Sequence, residues 1–148
     1  RNPWDLAVSL YKQRYVTNIS YSSSFFNLGV QMANFEASIL YWKKIGMLDE
    51  NVITINYEEL VKNFDEYQKK LYSFCEIKAD YEPEKRESFF AKTASINQVQ
   101  NKIHTESLKK SNFSELKSEF QEAFHSQREF WKSRNIIEVP GNFFGYDI

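Results

Sequence analysis

Residues 52–60 read VITINYEEL, and the change of period inside them decides the fold class expected of this chain. Val52, Ile53 and Ile55 are β-branched and the apolar run is short, which predicts a buried strand. Tyr57 stands where that strand gives way to a helix. The residues that follow carry the helical pattern. Asn63 with Glu66 three residues on has the form of an N-cap with its reciprocal partner. Phe64 precedes a stripe of Tyr67, Leu71 and Phe74 that is expected to face a core. A strand running into amphipathic helices predicts an α/β architecture, with at least one parallel-sheet strand near residues 51–56.

Working outward, WDLAVSLYKQRYV (4–16) reads as a helix, with Pro3 in its first turn where a missing amide proton costs nothing. Leu6, Val8, Leu10, Tyr11 and Tyr15 supply its apolar surface. Residues 18–24 form a polar loop. A longer helix is expected over Phe25–Ile45, with Phe26, Val30, Ala33, Ala37 and Leu40 or Tyr41 at helical spacing and Gly46 as its terminator. Beyond Ile77, Pro83 starts a short helix through Phe90, and residues 92–110 read as irregular. The last helix begins near Ser114. Leu116, Phe120, Phe124, Gln127 and Trp131 run down one face of it, with Ala123 and Phe130 beside them. Pro140, Gly141 and Gly145 then predict a loop or extended tail. The domain reading is therefore 1–131, with 132–148 as an extension.

Composition narrows the class. The chain has 148 residues, enough for one modest core, with 13 Phe and 9 Tyr against only four Gly and three Pro. That profile fits an ordered, mostly helical protein and argues against disorder and against a Gly-rich barrel. Nineteen basic and 20 acidic side chains leave a net charge of -1, which gives no broad case for nucleic acid. A local anion site stays open around Lys12, Arg14, Lys102, Lys109 and Lys110. Cys75 is the single cysteine, so no internal disulfide forms; its setting in LYSFCEI predicts a buried packing role and a cytoplasmic location. No apolar run is long enough for a membrane span. His104 and His125 are isolated, no metal-ligand spacing is present, and no GxxxxGK[ST] loop supplies a phosphate cradle.

Three segments, in order, resemble the sulfotransferase superfamily that uses 3′-phosphoadenosine 5′-phosphosulfate (PAPS). The first is RNPWDLAVSLYKQRY, where an Arg-x-Pro element leads into a helix carrying a Ser eight residues after the Arg. The resemblance implies that Arg1 and Ser9 bind the 3′-phosphate, a role suited to a guanidinium fork and a hydroxyl. Read alone, Ser9 is an ordinary helix-surface residue. The second is NVITINYEELVKNFDEYQKKLYSFCEI, in which Tyr57 corresponds to a residue near the adenine. Read alone, Tyr57 is a half-buried core aromatic. The third is FFAKTASINQVQNKIHTESLKKS, in which Ser95 and Lys110 correspond to phosphate or ribose contacts; one gap would exchange Lys110 for Lys109. Thr93 and Gln98 serve equally well as loop caps. TASINQV is nearest to the bacterial tetratricopeptide-linked and protein-tyrosine branches.

The resemblance implies a P-loop-like fold of which this chain is the C-terminal, mostly helical portion. It implies in-line transfer of a sulfuryl group from PAPS, leaving the product PAP, to a hydroxyl of a glycan, peptide or small alcohol. The general base and the phosphosulfate cradle belong to an N-terminal half, expected in cis or in trans, so the catalytic residues stay unknown and the chain alone is expected to be inactive. Neither His104 nor Glu106 matches the family base. The alternative is a non-catalytic helical protein-interaction module, to which the abundant aromatic stripes point. It differs in predicting that Arg1, Ser9, Tyr57, Ser95 and Lys110 do not converge.

Overall fold

The structure, a computed structural model, describes residues 1–13, 19–48, 51–78, 113–135 and 137–146. Contacts divide the chain into two units, Arg1–Thr54 with Lys110–Ile148, and Ile55–Lys109.

The first unit opens on helix α1, Pro3–Lys12. Asn2 caps it: its side-chain oxygen accepts from the amides of Trp4 at 3.0 Å and Asp5 at 3.3 Å. Pro3, lacking an N–H, fills the first helical position at no cost. The helix stops at Gln13, which is extended, short of the expected end at Val16; residues 14–18 lie outside the described residues. A 3-10 turn at Ser20–Ser23 leads into α2, Phe25–Lys44. Ser24 caps α2 by accepting from the Asn27 amide at 3.1 Å. At the far end Gly46 takes φ 75. Its N–H bonds the Lys43 carbonyl, and the Met47 N–H reaches back to Trp42 at 2.9 Å. That is a Schellman closure, and it needs the left-handed residue that Gly46 supplies.

The last long helix, α5, spans Lys117–Ser133 after a 3-10 turn at Ser114–Leu116. Its contacts with α2 advance together along both helices, from Phe26–Glu119 through Asn34–Gln127 to Glu36–Arg128, so the two run parallel. Small residues let them approach. Gly29, Ala33 and Ala37 recur every fourth position on the buried face of α2, opposite Ala123. A Cβ on Gly29 would stand 2.5 Å from the Phe120 carbonyl oxygen. The parallel N-termini share one carboxylate: Glu119, in the first turn of α5, accepts from the Phe26 amide at 3.1 Å. A negative charge suits both positive helix ends.

Around this pair, Ala7, Val8, Phe25, Leu28, Met32, Phe120, Phe124 and Phe143 form the core. Trp4 lies 5.0 Å from the Phe25 ring, and Phe124 meets Phe143 edge-on at 5.6 Å. Phe143 comes from the C-terminal segment, which folds back on itself. Phe143 and Tyr146 exchange backbone hydrogen bonds of 2.9 and 2.8 Å. Phe144 (φ 45) and Gly145 (φ 91) between them make the tight primed turn that such a bridge requires.

In the second unit, α3 (Tyr57–Lys62) and α4 (Phe64–Phe74) follow one another with a single break at Asn63. Neither buries a residue completely. The expected capping role of Asn63 is not realised. Its amide instead donates to Glu59 at 3.2 Å on the preceding helix. Cys75, expected in a core, is exposed just past the end of α4.

The α/β expectation is overturned. Among the described residues there is no strand and no sheet, only an isolated bridge at Phe143 and Tyr146. Residues 52–56 belong to no helix and to no ladder; Asn56 is extended, and Val52 is exposed. β-Branched side chains bias a backbone toward extended angles, but a strand exists only where a neighbour takes up its amides and carbonyls. The β-branched run at Val52 is a local bias that no neighbouring segment turns into a sheet.

The close approach of α2 and α5 makes a paired test. Gly29→Ala is expected to destabilise the chain by about 1–3 kcal/mol, through overpacking against backbone that cannot yield. Gly141→Ala, where an added Cβ meets nothing within 4 Å, is expected to stay within about 0.5 kcal/mol of the parent in urea unfolding.

Candidate functional site

Two features stand out in the first unit, a buried polar network between α2 and α5 and an apolar groove beside it. Glu36, only 1% exposed, sits on the buried face of α2 among alanines. It meets Arg128 of α5, 8% exposed, in a bidentate pair: Nε donates to one carboxylate oxygen at 2.7 Å and Nη2 to the other at 3.1 Å. Arg128 Nη2 also donates to the carbonyls of Pro140 and, at 3.3 Å, of Asn142. Its guanidinium lies 5.3 Å over the Phe124 ring. Two residues before Glu36 in the same interface, the Asn34 side-chain oxygen accepts from Gln127 at 2.9 Å and from the Trp131 indole at 2.8 Å. Burial pushes the Glu36 carboxyl above its ordinary value, against the opposing pull of the Arg128 hydrogen bond and charge.

The groove is lined by Ala37, Ser38, Tyr41, Trp42, Trp131 and Ile137 and has a volume of about 360 Å³. Two of its donors are committed: the Trp131 N–H goes to the Asn34 side chain, and the Ser38 hydroxyl donates to the Asn34 carbonyl at 2.9 Å. The Tyr41 hydroxyl and the Trp42 indole also belong to the lining, which is otherwise ring and methyl surface and suits an apolar side chain better than a phosphate. The groove continues into an exposed apolar stretch at the end of α2, where Ile45 is 49% and Met47 65% accessible.

The residues expected to hold a nucleotide are placed as follows. Arg1 precedes α1 and is half-buried; Ser9 lies on α1, half-buried, its carbonyl accepting from the Gln13 amide. Tyr57 is the first residue of α3, in the second unit. Ser95 and Lys110 lie outside the described residues, as do Arg14, Thr93, Gln98, Lys102, His104, Glu106 and Lys109. Arg1 and Ser9 thus share a unit.

The expectation of a PAPS-dependent enzyme fails on the fold. The resemblance implies an α/β fold with a parallel-sheet strand, and the described residues carry no strand and no sheet. The sulfotransferase activity, the PAPS or PAP cofactor and the α/β description are corrected accordingly.

Glu36, Arg128 and Asn34 escaped the sequence reading, although a signal was present. Glu36 falls seven residues after Gly29 and Arg128 four after Phe124, each inside a buried stripe. Opposite charges embedded in two apolar helix faces mark a candidate buried pair.

Removing one partner of this pair leaves the other charge buried and alone. Arg128→Ala and Glu36→Ala are each expected to cost roughly 3–5 kcal/mol in denaturant unfolding. Because the folded value of Glu36 lies above 4.5, its contribution to stability is full below that pH and falls as pH rises through the raised folded value. A carbon-13 titration of the Glu36 carboxyl in the folded chain is expected to show its midpoint above 4.5, and Glu36→Gln to remove that part of the pH dependence.

The family model described as sulfotransferase domain matches residues 1–136. No curated protein and no solved structure gives a match. No helix among the described residues is long and apolar enough to cross a membrane. Membership is carried by sequence over most of the chain, while activity belongs to sites and not to families; the chain belongs to the sulfotransferase domain family.

Proposed function

We propose that this chain is a non-catalytic helical module of the sulfotransferase domain family that binds another polypeptide. The observation that carries the reading is the apolar end of α2. Tyr41 and Trp42 on its last turn, and Ile45 and Met47 just past its end, are exposed next to the Trp131 groove. A helix that is apolar around most of its circumference at one end is built to be covered. Aromatic anchors of this kind supply most of the energy of protein–protein contacts. Each fully buried side chain of this size is worth about 1.5–3 kcal/mol.

The partner is a further polypeptide segment, in cis or in trans, offering apolar side chains to the groove. The TASINQV segment supports a place nearest the bacterial tetratricopeptide-linked and protein-tyrosine branches, and the order of the three segments supports a place in the C-terminal portion of the domain. A single cysteine supports a cytoplasmic setting.

A photo-crosslinking residue at position 42 is expected to capture one polypeptide that the same residue at Gln31 does not. With that partner purified, Trp42→Ala is expected to weaken binding by about 2 kcal/mol, roughly thirtyfold, as an aromatic anchor should. Equal crosslinking from both positions, or an unchanged affinity, would contradict the reading.

A further inference from the structure

Residues 137–146 are held to the first unit at three points. Ile137 is buried and forms one wall of the groove, beside Trp131. The carbonyls of Pro140 and Asn142 accept from Arg128 Nη2. Phe143 is buried against Phe124. From the third point onward the segment is closed on itself by the Phe143–Tyr146 bridge, with the Asn142 side-chain oxygen accepting from the Gly145 amide at 3.2 Å.

The middle attachment is shared. Arg128 Nη2 carries two protons. It faces three acceptors: a Glu36 oxygen, the Pro140 carbonyl and the Asn142 carbonyl. Nε, by contrast, serves Glu36 alone at 2.7 Å. The helix-to-helix pair therefore keeps a dedicated bond when the segment moves, whereas the segment's own bonds to Arg128 are divided. Release of the segment would therefore leave the Nε bond between α2 and α5 in place. Its departure would take Ile137 away from Trp131.

We infer that residues 137–146 form an intramolecular strap, fastened by Arg128 and by Phe143, whose seating sets how far the Trp42–Trp131 groove is open to a partner. The strap is the chain's own apolar occupant at the edge of the groove, and Ile137 is the side chain a partner must displace or pack against. The consequence for partner binding rests on the docking reading above, but the opening of the groove does not.

The test therefore reads the groove with no partner present. The full chain is labelled with 5-fluorotryptophan, and the Trp131 resonance is assigned with Trp131→Phe. Two variants loosen the strap without touching α2 or the groove lining. Phe143→Ala removes the core anchor. Gly145→Val places a β-branched residue at φ 91, where only glycine sits comfortably. In at least one folded variant the Phe143 or Tyr146 amide is expected to exchange about tenfold faster, the sign of local opening. The solvent-isotope shift of Trp131 is expected to rise with it, while that of Trp4 stays fixed. Faster strap exchange with an unchanged Trp131 signal would overturn the inference. Unchanged strap exchange in both variants would also overturn it, since the strap would then not be held by these points. Failure to find a partner at position 42, with Trp131 responding as stated, would sink the docking reading and leave the strap intact.

Discussion

The bidentate contact between Arg128 and Glu36 is the constraint around which the described part of the first unit is arranged. A buried carboxylate and guanidinium are costly to desolvate, and their mutual attraction offsets that cost only when geometry is good and spare protons are taken up. Both conditions fix structure. Good geometry requires α2 and α5 to lie parallel and close, which Gly29, Ala33, Ala37 and Ala123 permit. The spare protons of Arg128 require backbone carbonyls, which the C-terminal segment delivers from Pro140 and Asn142. The pair thus selects one register of two helices and one path for the tail. Such a pair confers specificity more readily than net stability.

From that arrangement the surface follows. Because α2 is 20 residues long and its buried face ends near Ala37, its last two turns and the closure after them leave Tyr41, Trp42, Ile45 and Met47 uncovered. The Schellman closure at Gly46 stops the helix there. The polar atoms at the groove floor are spent on Asn34. An apolar groove with no cationic side chain in its lining suits a hydrophobic side chain rather than a multiply charged nucleotide. Family membership and the absence of a sheet-built site among the described residues are compatible on this view: sequence descent fixes the segments, and the site chemistry depends on the scaffold they are given.

Much of the helical layout was legible. The spans of α2 and of the last helix were read nearly to their ends, because Ser24, Gly46 and the Phe120–Phe124–Trp131 stripe are local signals with local causes. The face of α2 was read less well. Ala33 and Ala37 are buried as expected, but Phe26 is half exposed and Glu36 is buried in its place. Hydrophobicity ranks Phe above Glu; the partner on another helix, invisible to local pattern, reverses the order. Residues 52–56 show the same limit, since extended propensity is local while sheet pairing is not. Phe143 in the core was hidden behind Pro140 and Gly145, which mark a turn without saying where the turn is anchored. Of the five residues suggested as nucleotide contacts, Arg1 stands just before the Asn2 cap and Ser9 lies on α1, places that Pro3 and the helical pattern made legible.

The most direct test of the account is a calorimetric titration of 3′-phosphoadenosine 5′-phosphate into the folded chain. The account predicts no saturable heat at millimolar ligand, with Arg1→Ala and Ser9→Ala indistinguishable from the parent. Saturable binding that weakens in either variant would contradict it, and would return a nucleotide site to this chain.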